Sequence, residues 1–206
     1  MPTNYKLLYG AEIIMRDTDI RKVLLKSLQD KYGNRRDTLV IEELGLCQGD
    51  SRVDIAVING SLHGYEIKSE RDTLDRLPSQ QDYYNRVLDC VTVVASSCHL
   101  SKVEKLVPSW WGLCEAEYKN RKLLIRKIRP ESQNSEVDPT AVVQLLWRDE
   151  ALDVLRKRDL HKGIVSKPRA IMWNRLVECL PIDELRFEVR ERIKTRQYWR
   201  SVQIQR

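Results

Sequence analysis

Three charged side chains stand inside two stretches otherwise suited to burial, and this conflict constrains the chain more than anything else in it. Arg52 to Ile58 and His63 to Ser69 read as strands joined by Asn59-Gly60-Ser61, yet the first carries Asp54 and the second Glu66 and Lys68. Charge in a buried strand costs free energy unless it is partnered. The pairing of these two strands therefore decides whether the three charges meet.

Residues two apart on a strand share a face, so Glu66 and Lys68 point one way, Tyr65 and Ile67 the other. A two-residue turn at Asn59-Gly60 would pair Ile58 with Ser61 and throw Asp54 and Glu66 onto opposite faces. A three-residue loop pairs Ile58 with Leu62, Ile55 with Tyr65, Val53 with Ile67 and Asp54 with Glu66. Only this second register matches apolar with apolar, because a slip of one residue turns every side chain over. It gathers Asp54, Glu66 and Lys68 without assuming any function.

The surrounding pattern is α/β. Asp19 to Lys31 keeps a helical apolar period, and Thr38 to Leu44 reads as a strand before the pair. Leu77 to Leu88 is a helix with Pro78 in its first turn, and Val91 to Ala95 is a buried strand. The order helix, three strands, helix, strand predicts a mixed central sheet with helices laid on it. A short helix over His99 to Leu106 follows, then an added hairpin, Trp111–Tyr118 and Lys122–Ile128, turning at Asn120. Pro130 to Pro139 is the expected boundary or exposed loop. Three helices come after it, near Thr140–Arg158, Pro168–Leu180 and Asp183–Thr195. The division is thus a core over 1–130 and a C-terminal helical appendage over 139–206 packed on it.

Charge separates the same two parts. Residues 156–206 hold fourteen Lys and Arg against six Asp and Glu, whereas the preceding residues hold twenty-two against twenty-four. A basic end on a near-neutral body suits a polyanion, and a solvated helical face is the bland alternative. Five cysteines without a Cys-x-x-Cys pair exclude a disulfide framework and a thiolate metal site as organising features. Met1 to Asp19 lacks the apolar core of a leader, and no apolar run is long enough to cross a bilayer. The expectation is a cytoplasmic protein with no membrane partner.

Two carboxylates at cross-strand distance repel unless a cation lies between them. Mg²⁺ or Mn²⁺ is the natural occupant, held by Asp54, Glu66 and the Ile67 carbonyl. Lys68 beside it would position an attacking water or steady charge on a phosphate, which is phosphodiesterase chemistry. A lone Glu-x-Lys is what any solvated strand face shows; the joint pattern carries the inference.

These residues resemble the PD-(D/E)XK nuclease superfamily, with Asp54 and Glu66-Ile67-Lys68 at the signature positions and Val53 where its Pro would stand. Gln80 and Tyr84 match the Gln-x-x-x-Tyr of its RecB-like and phage exonuclease-like members. The run from Val40 to Trp111 also resembles an uncharacterised bacterial family known by a locus-tag name. The resemblance implies a restriction-endonuclease-like core over about 19–95, and cleavage leaving a 5′-phosphate. It also implies an upstream acid, for which strand alternation admits either Glu42 or Glu43; Glu43 is carried forward. Gln80 and Tyr84 would brace the site, and Arg71, Arg76 and Arg86 on the helix side are candidates to meet phosphate. The basic C-terminal helices would dock nucleic acid, DNA in preference to RNA. A non-cleaving nucleic-acid- or protein-binding module and an RNA-cleaving toxin or defence effector stand as alternatives, with a homodimer left open. His63, His99 and His161 are assigned no role, and Trp110-Trp111 is read as packing.

Overall fold

The computed structural model describes residues 14–196. The 1–13 stretch read as lacking a leader core and the end of the basic region, 197–206, lie outside them. In chain order come α1 (Asp17–Tyr32), β1 (Leu39–Leu46), β2 (Ser51–Ile58), β3 (Leu62–Lys68), α2 (Leu77–Val87), β4 (Cys90–Ser96) and α3 (Ser97–Leu106). Then follow β5 (Gly112–Lys119), β6 (Lys122–Arg129), α4 (Pro139–Val143), α5 (Arg148–Lys157), α6 (Arg169–Cys179) and α7 (Ile182–Thr195).

The six strands form one mixed sheet in sequential order. β1, β2 and β3 run antiparallel, β3, β4 and β5 parallel, and β6 returns antiparallel on β5. Parallel neighbours need a crossover, and α2 and α3 supply the two. Both crossovers advance in the same direction, so their common handedness lays them on one face. α1 covers the other face, where Ile20, Leu24 and Leu28 pack on Ile55, Val57, Tyr65 and Ile67. The β5–β6 hairpin turns through Asn120 and Arg121, both at positive φ, as a two-residue turn that follows strand twist requires.

The C-terminal helices share a core with the sheet. Val143, Leu146, Met172, Leu176 and Ile193 belong to one buried cluster with Ile41, Val53, Leu88 and Trp111. The helix expected over Thr140–Arg158 is two helices, α4 and α5, broken at the buried Leu145-Leu146 turn. Glu150 takes the Trp147 amide at 2.7 Å and so starts α5 afresh. Residues 130–139, expected as a boundary or exposed loop, are strapped across the α2–β4 junction. The Asn134 amide donates to the carbonyls of Asn85 and Leu88 at 2.7 and 3.0 Å, and its backbone N–H to Asp89.

The basic α7 does not present its charge outward. Arg186 and Arg190 reach the buried Asp89 at 3.1 and 3.4 Å, and Arg192 pairs with Asp153 and Glu188. Arg196, just beyond the helix, meets Glu150 at 2.7 Å. Helical spacing separates apolar from charged positions, but it does not say whether a charged position finds an acid on the body beneath it. Among the described residues no helix is long and apolar enough to cross a membrane.

Candidate active site

The β2–β3 connection is the three-residue loop, with Ile58 paired to Leu62 and Ile55 to Tyr65. Asn59 fixes it by accepting the Ser61 amide at 3.1 Å on its side chain, an Asx-type closure. The ladder then stops. Beyond Ile55 the strands part, and the Ile67 N–H donates to the Asp54 Oδ2 at 2.7 Å rather than to a strand carbonyl. The parting also undoes the expected Val53–Ile67 match: Val53 packs under α2 and Ile67 under α1. A carboxylate thus takes the place of a ladder bond at the point where the sheet opens.

On β3, Glu66 and Lys68 share the face toward α2 and are 2% and 3% exposed. Lys68 Nζ donates to Glu66 Oε1 at 2.8 Å and to Gln80 Oε1 at 2.9 Å. The Gln80 amide donates to Glu66 Oε1 at 2.7 Å, and the Tyr84 hydroxyl lies 2.6 Å from Glu66 Oε2. Gln80 and Tyr84 arrive together because they are four apart on α2. The Tyr84 hydroxyl is also 2.8 Å from the Arg52 carbonyl, and its single proton serves only one of the two acceptors at a time. Burial, then the Glu66 charge, push its pKa above the ordinary phenol value.

Asp54 faces the same cleft, of about 740 Å³, whose lining includes Glu43, Asp54, Glu66, Ile67, Lys68, Arg76 and Gln80. Burial, then the neighbouring Glu66 carboxylate, push Asp54 up to about 7, against the Ile67 amide and Arg21. Glu43 lies opposite Asp54 at the one gap in the β1–β2 register and adopts φ 59°, a left-handed conformation rare for a non-glycine residue. It breaks strand alternation there, so that Glu43 lines the cleft while Glu42 still comes within 3.7 Å of Arg21.

Several neighbours in the cleft escape a reading of the sequence. Arg21 of α1 donates to Asp54 Oδ1 at 2.9 Å and to the Asp54 carbonyl at 3.0 Å, and pairs with Asp17 and Glu43. Its position beside the inward stripe of Ile20 and Leu24, four residues after Asp17, is the available signal. Tyr83, Asp72 and Arg52 also line the cleft, whereas Arg71 and Arg86 are not among the lining residues. Arg86 is drawn off to Asp138 at 2.9 Å. His63 sits away from the cleft, against Thr92 at 2.9 Å and stacked on Tyr65, with burial lowering it to about 4. Trp111 is fully buried, its indole donating to Asn85, consistent with packing.

Among the described residues no group of three or more His, Cys, Asp or Glu side chains is arranged to hold a metal ion. The donor set here is smaller: two carboxylates, with Asp54 raised by burial and then by the Glu66 charge, and the backbone carbonyl of Ile67 next to Glu66 in sequence. That set suits Mg²⁺, which keeps several waters and takes one or two carboxylates from a protein.

The family described as bacteriophage P4 protein cII matches residues 12–206. Protein cII of Enterobacteria phage P4 is 28% identical over 144 residues, which cover 70% of this chain and 54% of that protein. The chain thus spans about half the length of that relative. Among solved structures, a protein of unknown function from Silicibacter pomeroyi overlaps 66% of this chain and 90% of its own, at 17% identity and a TM-score of 0.39.

Proposed function

The chain belongs to the bacteriophage P4 protein cII family, and from the geometry of its cleft we propose that it is a metal-dependent nuclease of the PD-(D/E)XK kind, hydrolysing phosphodiester bonds in DNA. On this reading α1, β1, β2, β3, α2 and β4 form a restriction-endonuclease-like core. The observation that supports it most is the convergence of Asp54, Glu66 and Lys68 on one cleft, with Glu66 and Lys68 nearly excluded from water and braced by Gln80 and Tyr84.

Asp54, Glu66 and the Ile67 carbonyl would hold Mg²⁺ or Mn²⁺, which when bound would supply Lewis acidity for phosphate charge and for a water. The protein's part is positioning. Two of the three Lys68 protons are committed to Glu66 and Gln80, which aims the ammonium and leaves a donor for water or phosphate oxygen. Gln80 and Tyr84 hold Glu66 by one oxygen each, so its orientation is fixed before substrate arrives. Glu43 assists from the cleft wall, and Arg76 at the start of α2 meets the incoming backbone. Lys162, Lys167, Arg169 and Arg175 extend that contact without sequence preference.

Digestion of plasmid and linear DNA in Mg²⁺, with RNA beside them, tests this. Cleavage by the native chain and far slower cleavage by Lys68→Ala is expected; equal activity in both removes the assignment. One observation favours a second reading, a non-cleaving binding module: every carboxylate oxygen of Asp54 and Glu66 already has a protein partner. Salt-sensitive DNA retention without cleavage in either metal is its signature.

A further inference from the structure

Among the described residues Asp54 is ion-paired with Arg21. The Arg21 guanidinium forks across four acids: Nη2 on Asp54 Oδ1 at 2.9 Å, Nε on Asp17 Oδ1 at 2.9 Å, and Nη1 near Glu43 Oε1 at 3.2 Å and Glu42 Oε2 at 3.7 Å. The side chain is 16% exposed, and burial opposes its charge, but the Asp17 hydrogen bond and the Asp54 charge outweigh it and hold the arginine protonated. Asp54 Oδ2 takes the neutral Ile67 amide and Oδ1 the guanidinium, so a cation approaching either oxygen meets a bound donor, and the one on Oδ1 is itself positive.

We propose that Arg21 is the resident counter-ion of Asp54 and that a divalent cation binds Asp54 only by exchange with this guanidinium, so that Arg21 sets the metal affinity of the site. The inference rests on the metal-site reading above. A dication and a guanidinium sharing one oxygen repel in a half-buried cleft, where charge is screened far less than in water. Exchange does not strand the arginine, because Asp17 lies four residues back on its own helix and Glu43 is open to solvent at 43%. The guanidinium keeps Asp17, Glu42 and Glu43 when it gives up Asp54, and a planar fork with five donors suits such a handover.

The experiment reads binding rather than turnover. Mn²⁺ affinity is measured by electron paramagnetic resonance for the native chain, Arg21→Gln, Arg21→Lys and Asp54→Asn. Arg21→Gln is expected to bind roughly tenfold or more tightly than native, Arg21→Lys near native, and Asp54→Asn weakly. In parallel, the Arg21 guanidinium protons are followed by NMR as Mg²⁺ is added; they lose protection in the native chain and not in Asp54→Asn. Metal binding that depends on Asp54, with Arg21 protons undisturbed and Arg21→Gln no tighter, overturns the exchange and leaves the metal site standing. Metal binding absent from all four proteins removes both. If Arg21→Gln does not fold by circular dichroism, the NMR titration of the native chain decides alone.

Discussion

Two of the buried charge networks among the described residues differ in what their charges face. In the cleft, Glu66, Lys68 and Asp54 are braced by Gln80, Tyr84 and Arg21 and open onto a cavity. Under α7, Asp89 joins Arg186 and Arg190 and takes the Leu62 amide at 2.7 Å, with protein on every side. The second network closes a fold. The first leaves a lysine and two carboxylates within reach of a ligand, which is where perturbed groups are worth reading as function. Counting charges cannot separate the two; only what stands opposite each charge does.

The comparison is broken most sharply by exchanging the two losses. Lys68→Ala is expected to lower DNA cleavage by roughly 10²–10³-fold, as removal of an electrostatic donor does, and a plasmid-nicking rate measures it. Asp89→Ala is expected to leave cleavage per folded molecule unchanged. It costs about 3–5 kcal/mol in urea unfolding, because it strands two arginines and an amide. If Asp89→Ala abolished cleavage at full stability, the two networks would be one.

A smaller effect tests the packing beneath the cleft. A Cβ on Gly64 would come within 2.6 Å of Leu88 Cδ1 and 3.0 Å of Val53 Cγ2. Gly64→Ala is therefore expected to cost about 1–3 kcal/mol by thermal unfolding, with the Glu66–Tyr84 contact displaced as Leu88 yields.

The smallest effect is a pair of opposed pH slopes, read as stability without added metal. Asp54, raised to about 7 when folded, binds a proton that the unfolded chain releases near 3.8, so its contribution is present at low pH and lost as pH rises toward 7. His63, lowered to about 4, contributes stability above its ordinary 6.5, and this is lost as pH falls toward 4. Between pH 4 and 6.5 the two slopes oppose. Asp54→Asn is expected to steepen the loss toward acid and His63→Gln to reverse it, each measured by urea midpoints across that window.

Much of the cleft was legible because period-two alternation is a strong constraint. Apolar matching selected the three-residue loop with its Ile58–Leu62 and Ile55–Tyr65 pairs, whereas the expected Asp54–Glu66 pair falls where the ladder has already stopped; helical spacing brought Gln80 and Tyr84 together on Glu66. Where the chain departs from its period, legibility ended. Alternation excluded Glu42 or Glu43 from the site, but a left-handed Glu43 lets both approach Arg21. The same opening of the sheet sends Val53 and Ile67 to different cores. The long helix over 140–158 failed because a buried turn at Leu145-Leu146 looks apolar and periodic until Glu150 recaptures the chain. The inward aim of α7 depended on acids such as Asp89 and Asp153, far along the chain.

The grip of α7 on Asp89 has a temporal side. Asp89 holds the first amide of β3, the strand of Glu66 and Lys68, and Arg190 lies 101 residues further along. During synthesis β3 therefore leaves the ribosome long before its clamp exists. The charge pairing of Asp89, which holds the end of the strand carrying Glu66 and Lys68, is complete only when α7 docks, a late event in the life of each newly made molecule.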